Sequence, residues 1–106
     1  MGPGTVVMPG SVVNAGARVM EHVILNTCCS VDHDCTIGDF AHIFPEAHLS
    51  GNVTVEEGSH LGVGASVIPQ KSIGEWSIVG AGAVVIRNVP SRVVVAGIPA
   101  AIIKNV

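Results

Sequence analysis

Two histidine-containing features of the sequence could carry acid–base chemistry. His33 is followed directly by Asp34. A carboxylate beside an imidazole fixes the tautomer of the ring and stabilises the imidazolium, which is the minimum for a general base. His42 and His60 lie 18 residues apart. Solvated surface histidines are common, so the meaning of both features depends on the fold that positions them.

The composition favours a narrow β structure. Of 106 residues, 48% are apolar, but only 3% are aromatic and 12% are charged. Valine and isoleucine dominate, which disfavours both a disordered chain and a helical bundle. With a net charge of −3 and no basic cluster, a nucleic-acid partner is not expected. No run of 18 apolar residues is present, so no membrane span is predicted.

A six-residue repeat organises most of the chain. Three such hexads, each a short strand and a turn, would close one triangular coil of 18 residues, so fifteen hexads give five coils. Each hexad begins with an aliphatic residue, and the residue four places later in the hexad is small, except for Lys71. Glycine is common at the second and fourth places, where we expect it to serve turns with positive φ. Met1 begins the first hexad, and the aliphatic residues that begin the other fourteen are Val7, Val13, Val19, Leu25, Val31, Ile37, Ile43, Leu49, Val55, Leu61, Val67, Ile73, Val79 and Val85.

This pattern resembles the hexapeptide repeat of the left-handed parallel β-helix, and the resemblance supplies the left hand. We therefore predict an all-β fold, a left-handed parallel β-helix of about five 18-residue coils over residues 1–90. Residues 91–106 follow Pro90 and are similar to the ending of hexapeptide acyltransferases. We expect this segment to add a strand and to cap the last coil, which would blunt an open edge.

The stretch from Leu25 to His42 is similar to a segment of one acyltransferase family. It contains Asn26-Thr27, His33-Asp34-Cys35 and then His42 at the family's spacings. That family is the sialic acid O-acetyltransferase group, with the bacterial UDP-4-amino-sugar and perosamine-type N-acetyltransferases. The resemblance implies acetyl-CoA as co-substrate, transfer to an amine or hydroxyl of a sugar-like acceptor, and a homotrimer with active sites between subunits.

The same resemblance assigns roles to particular residues. His33 matches the general base, and Asp34 matches the carboxylate that raises its basicity, which is usually glutamate. His42 matches the histidine that contacts the thioester region of acetyl-CoA, and Asn26 matches a polar residue of the acceptor cleft. Two further positions match those where backbone groups meet the pantetheine arm: Val63 and Ala81.

Two alternatives accompany this hypothesis. Family members carry an N-terminal Rossmann-like domain, which we expect to be absent because the sequence begins in register with the first hexad. A catalytically silent trimeric β-helix, or a CoA-binding protein without its sugar-binding domain, is therefore the main alternative. A γ-class carbonic anhydrase is disfavoured, because it needs two zinc histidines five residues apart and the gaps here are 11, 9, 6 and 12. The acceptor and the choice between N- and O-acetylation stay open.

The three cysteines are interpreted as free thiols. Their number is odd and the N-terminus lacks a signal-peptide pattern, which together favour a reducing, cytoplasmic setting. Cys29 and Cys35 occupy the small inward place, so we expect them to fill the core and to bind no metal. Lys71 is the one misfit at that place, either reaching outward at a corner or marking a departure from register.

The other aromatic and imidazole side chains have less defined expectations. His22 and Phe40 lie 18 residues apart and are expected to stack on an outer face, at a subunit interface. Trp76 is expected to be a surface aromatic or part of a trimer contact. His48 and His60 are either solvated or line the cleft.

Overall fold

The computed structural model describes all 106 residues, Met1–Val106. The chain forms fourteen two-residue strands at a spacing of six, followed by two longer strands, and it contains no helix. No segment therefore offers a helix of the length and apolar character that crossing a membrane requires. The strands are β1 (Val6–Val7), β2 (Val12–Val13), β3 (Arg18–Val19), β4 (Ile24–Leu25), β5 (Ser30–Val31), β6 (Thr36–Ile37), β7 (His42–Ile43), β8 (His48–Leu49), β9 (Thr54–Val55), β10 (His60–Leu61), β11 (Ser66–Val67), β12 (Ser72–Ile73), β13 (Ile78–Val79), β14 (Val84–Val85), β15 (Val93–Ala96) and β16 (Ala101–Asn105).

From β1 to β14, every third strand joins the same sheet. Sheet A has the order β1-β4-β7-β10-β13-β15-β16, sheet B is β14-β11-β8-β5-β2, and sheet C is β12-β9-β6-β3. Within a sheet the strands pair in parallel with residues 18 apart, as Val7 pairs with Leu25 and Leu25 with Ile43. The three sheets are thus the faces of a triangular prism, and the prediction of a left-handed parallel β-helix of about five coils is confirmed.

The interior of the prism is filled by the two inward places of each hexad. The aliphatic place supplies side chains such as Leu25 and Ile43, which are fully buried, and the small place supplies residues such as Ala41. Cys29 and Cys35 are also fully buried, in agreement with the prediction that they fill the core. Such a thin interior has no room for large aromatic rings, which explains the composition.

The fourth place of the first fourteen hexads has a left-handed backbone whether or not it is glycine, and Asn88 in the last hexad is the exception. Asp34 has φ 58° and Asn52 has φ 58°, like Gly16 with φ 76°. Glycine at the second place has another cause, because Gly38 has no positive φ but a Cβ there would lie 2.9 Å from the backbone nitrogen of Glu57. The expectation that both glycine places serve positive φ is therefore wrong for the second place, where close approach of successive coils excludes a side chain.

Lys71 keeps the register of its coil. Its carbonyl accepts the ladder hydrogen bond from the backbone of Thr54 at 3.0 Å, and its side chain is only partly buried. Of the two explanations offered by the sequence, the structure therefore supports an outward-reaching side chain and not a break in the repeat.

The two ends of the prism differ. At the N-terminal end the inward residue Val7 is 44% exposed, whereas its counterpart Leu25 in the next coil is fully buried. At the C-terminal end the segment after Pro90 adds two strands to sheet A, since β15 pairs in parallel with β13 and β16 runs antiparallel to β15. A cavity of about 300 Å³ lies beneath this hairpin, among inward residues that include Val85 and Val95.

Candidate active site

The turns between sheets form three corners of the prism. Corner AB, between sheets A and B, contains the turns at residues 26–29, 44–47, 62–65 and 80–83. Corner BC, between sheets B and C, contains those at 32–35, 50–53, 68–71 and 86–89. Corner CA contains those at 20–23, 38–41, 56–59 and 74–77. Corner BC is consequently the corner opposite sheet A.

His33 and Asp34 form a hydrogen-bonded dyad on corner BC. The distance from His33 Nδ1 to Asp34 Oδ2 is 3.2 Å, and the two side chains are 57% and 61% exposed. Asp34 occupies the left-handed fourth place of its hexad. Because a carboxylate can only accept, this bond selects the tautomer in which Nδ1 carries the proton and Nε2 has a free lone pair. The dyad has the arrangement that a general base needs.

A second carboxylate fixes the backbone beneath the dyad. Asp32 Oδ1 accepts the backbone N–H of His33 at 2.7 Å and the side-chain amide of Asn14, in the coil below, at 3.0 Å. The hydrogen bond from the His33 backbone, and then that from Asn14, lower the pKa of Asp32. Asp32 is therefore ionised at neutral pH and orients the turn, while Asp34 orients the ring.

Gly51 makes room for the imidazole of His33. A Cβ at position 51, in the next coil, would overlap His33 Nε2 and the adjacent ring carbons, with the nearest approach to Nε2. No positive φ is found at Gly51. The ring therefore lies against the bare backbone of the turn above it, and the absent side chain, not the backbone conformation, is the reason for glycine at this position.

His42 lies on sheet A and is held by two neighbours. Its ring stacks on Phe44 with centroids 3.9 Å apart, and its Nε2 is 3.2 Å from Asn26 Nδ2. The orientation of the Asn26 amide follows from Thr27, whose backbone N–H donates to Asn26 Oδ1 at 2.8 Å. Since the amide nitrogen donates, His42 Nε2 must accept, and the remaining proton of the neutral ring is on Nδ1.

The electrostatic environment agrees with this neutral tautomer. Burial lowers the pKa of His42, and the nearby imidazole of His60 lowers that pKa further. The two rings meet edge to face, with centroids 5.9 Å apart. His42 is thus a neutral imidazole at physiological pH, with Nδ1–H available as a hydrogen-bond donor.

Val63 and Ala81 are exposed on corner AB, two and three coils above Asn26 and one and two coils above the level of His42. The backbone N–H groups of Val63 and Ala81 have no partner within the chain, although the flanking Gly62 and Gly80 donate to the coil above. Outward-facing free N–H groups of this kind can bind the carbonyl groups of an extended ligand.

The predicted site residues fall into two groups on opposite sides of the prism. His42, Asn26, Val63 and Ala81 lie on sheet A and corner AB, whereas the dyad lies on corner BC. Neither group lines an enclosed cavity. The cavity that the structure contains lies beneath the C-terminal hairpin, among residues 85–102. His33 and His42 are separated by half a coil along the chain, so their levels along the prism axis differ by only about 2.4 Å.

The remaining imidazole and aromatic side chains lie outside these two groups. The predicted stack of His22 and Phe40 is confirmed, with centroids 5.4 Å apart and rings inclined by 5° on corner CA. Trp76 is exposed on the same corner. His48 is on sheet B, where its Nδ1 is 2.7 Å from Ser30 Oγ. No three histidine, cysteine or acidic side chains converge as a metal site would require.

Sequence reasoning missed several contributors to these groups. Phe44, which stacks on His42, was not singled out, although it follows His42 by two residues and begins the AB turn. The contact of Asn14 with Asp32, and the place of Gly51 against His33, join residues 18 apart. The 18-residue spacing was the available signal for both.

The known proteins that are similar to this chain include acetyltransferases, in agreement with the family that the repeat resembles. No protein-family model matches the chain. The GDP-perosamine N-acetyltransferase of Escherichia coli O157:H7 is 32% identical over 111 aligned positions, which cover 99% of this chain and 50% of that protein. The chain spans half or less of the length of the curated relatives it matches.

Two solved structures are similar to the chain in both fold and sequence. The acetyltransferase domain of PglB from Neisseria gonorrhoeae FA1090 is 41% identical with a TM-score of 0.83, covering 96% of this chain and 53% of that one. PerB from Caulobacter crescentus, in complex with CoA and GDP-perosamine, is 37% identical with a TM-score of 0.86, covering 94% and 57%. The hexad repeat, the β-helix and these similarities together show that the chain belongs to the hexapeptide-repeat acetyltransferase family.

Proposed function

We propose that the chain provides the acyl-transfer site of an acetyl-CoA-dependent acetyltransferase whose acceptor is the amine of a nucleotide-linked amino-sugar. The observation that carries the proposal is the pairing of a base with a free Nε2, at His33, and a neutral imidazole with a free N–H, at His42. Sequence and fold similarity to PerB, which is described with CoA and GDP-perosamine, supports the choice of donor and acceptor.

In the proposed reaction the acceptor nitrogen attacks the thioester carbon of acetyl-CoA. A C–N bond forms, the C–S bond breaks, and the proton of the amine passes to His33 Nε2, from which it can return to the departing thiolate. Asp34 stabilises the imidazolium that forms at His33. The Nδ1–H of His42 donates to the thioester oxygen as negative charge develops on it.

The donor would extend from His42 along corner AB. The free N–H groups of Val63 and Ala81 suit the carbonyl groups of the pantetheine arm, and the exposed glycines beside them leave the corner open. Asn26 orients His42 through its amide nitrogen, and we assign it to the acceptor cleft because it is partly exposed beside that ring. The residues present therefore fit acetyl-CoA as co-substrate.

The proposal includes a homotrimer with sites between subunits. Within one chain the prism separates His33 from His42, but both lie at nearly the same level along its axis. Cyclic assembly with parallel axes would place corner BC of one subunit against sheet A of the next, so that each interface holds one dyad and one His42. The three free cysteines and the use of acetyl-CoA support a cytoplasmic location.

The test is transfer of acetyl from acetyl-CoA to a nucleotide-linked 4-amino-sugar, followed by mass spectrometry of the product. A product heavier by one acetyl group, made at a rate that depends on protein concentration, supports the proposal. A second candidate, a CoA-binding β-helix without turnover, is favoured by the high exposure of the dyad. Calorimetric binding of acetyl-CoA without product would establish that candidate instead.

A further inference from the structure

His60 stands directly above His42 on sheet A and has a different environment. The two residues pair in register across strands β7 and β10, and Phe44 contacts both rings, with centroids 5.7 Å from Phe44 to His60. Hydrogen bonds to imidazole rings are made at His33, His42 and His48, but none at His60. A half-buried imidazole with both nitrogens free is thus fixed on the face that carries His42.

The residues around His60 offer its imidazole no hydrogen-bond partner within the chain, so a bound ligand could supply one. The next outward residue on sheet A is Ile78, which offers no polar group, and the adjacent turn on corner AB contains Val63 with its free N–H. His60 therefore lies above His42 on sheet A and in the same coil as the exposed backbone of Val63. One coil, about 4.8 Å, separates His60 from His42 along the axis.

We propose that His60 is a further binding residue for the acyl donor, forming a hydrogen bond with the first amide of the pantetheine arm. This inference rests on the proposed function, because His42 is taken to hold the thioester oxygen. Only an ethylene group separates the thioester sulphur from that amide, an extended length close to one coil spacing. A donor held at His42 and continuing toward Val63 brings its amide level with His60.

Phe44 would assist His60 by excluding water from one side of both rings. Its contacts with His42 and His60 make a continuous apolar floor beneath the ethylene group. A hydrogen bond made above such a floor competes less with water, so it contributes more to affinity than one at an open corner. His60 would thereby favour acyl-CoA over thioesters that lack the amide.

The experiment compares acetyl-CoA binding by the wild type, His60→Leu and His60→Gln, with His48→Leu as the matched control. His48 occupies the same hexad place on sheet B, where the proposal gives it no ligand. Calorimetry is expected to show an acetyl-CoA Kd about three- to tenfold higher for His60→Leu, the value of one hydrogen bond. His60→Gln should recover part of this loss, and His48→Leu should match the wild type.

A second measurement separates a hydrogen bond from simple packing. The ¹⁵N resonances of the His60 imidazole are expected to shift when CoA is added to the wild type, and to stay unchanged when adenosine 3′,5′-bisphosphate, which lacks the pantetheine arm, is added. Wild-type Kd for His60→Leu, or unchanged His60 resonances with CoA, would overturn the inference while leaving the proposed function intact. Failure of the wild type to bind acetyl-CoA would overturn both.

Discussion

The two halves of the candidate site are held in different ways. On sheet A, His42 is half-buried, stacks on Phe44 and is hydrogen-bonded to Asn26. On corner BC, the dyad of His33 and Asp34 is more than half exposed, and the imidazole is held by carboxylates and by its contact with the backbone of Gly51. One half is ordered by packing within the chain, whereas the other is largely exposed to solvent.

In the proposed homotrimer, this difference indicates which half of the site the neighbouring subunit would cover. The half proposed to bind the donor has its imidazole tautomer fixed within a single chain, where burial also lowers the pKa of His42. The half proposed to react has a defined tautomer, but its two side chains are more than half exposed to solvent. A catalytic base of this kind becomes effective when another surface covers it and presents the acceptor. The comparison therefore predicts that substitutions on the two sides change different quantities.

The largest effect is expected for His33→Ala. Loss of the proposed general base should lower kcat by about 10²- to 10⁴-fold. The acetyl-CoA Kd should stay unchanged, because the contacts assigned to the donor are made by His42, Val63 and Ala81 of the neighbouring subunit and not by His33. Steady-state kinetics and calorimetry measure the two quantities, with His48→Ala as a control. A kcat within twofold of the wild type would remove His33 from the mechanism.

A smaller loss is expected for Asp34→Asn. The fourth place tolerates asparagine, since Asn52 occupies it in the next coil with φ 58°. The amide cannot stabilise the imidazolium by its charge, so kcat should fall roughly ten- to a hundredfold, between the effect of one hydrogen bond and loss of the base. The pH–rate profile should move at the same time. A profile and kcat equal to those of the wild type would contradict the role of Asp34.

Gly51→Ala tests whether the ring position of His33 matters. Alanine suits the backbone at this third place, as Ala15 and Ala81 show, but its Cβ would displace the imidazole. We expect a kcat lower by about tenfold, because a misplaced base loses alignment. The free energy of unfolding should change by less than about 1 kcal/mol. An unchanged kcat in a folded protein would show that the ring position at Gly51 is unimportant.

The smallest effect concerns the pH dependence of stability on sheet A. His42 has a lowered pKa when folded, so between that value and about 6.5 the unfolded chain binds more protons. The contribution to stability is therefore lost as the pH falls through this window. The urea midpoint of the wild type should drop more between about pH 7.5 and pH 5.5 than that of His42→Gln. Equal drops would contradict the lowered pKa.

Much of the architecture could be predicted because a branched aliphatic residue recurs every six positions without interruption. The hexads fix which side chains point inward, as with Leu25, and therefore which sheet each strand joins. The C-terminal segment was harder, because it leaves the repeat: one strand was expected and two, β15 and β16, are present. The left hand came from resemblance, since periodicity alone is the same for both hands.

The site could be predicted only where its residues are neighbours in sequence or one coil apart. His33 and Asp34 are adjacent, so their hydrogen bond follows from the dipeptide and the turn. The orientation of His42 depends on ring stacking and on an amide whose direction is set by Thr27. Those contacts arise from side-chain rotamers, which the spacing of residue types does not determine.

The central claim is that a working site combines the dyad of one subunit with His42 of another. Mixing His33→Ala and His42→Ala proteins after co-refolding tests it directly, because each variant alone lacks one half. If sites are shared between subunits, random assembly restores both halves in about a quarter of them, so roughly a quarter of wild-type activity is predicted. If the mixture is as inactive as either variant, both halves belong to one chain and the account is wrong.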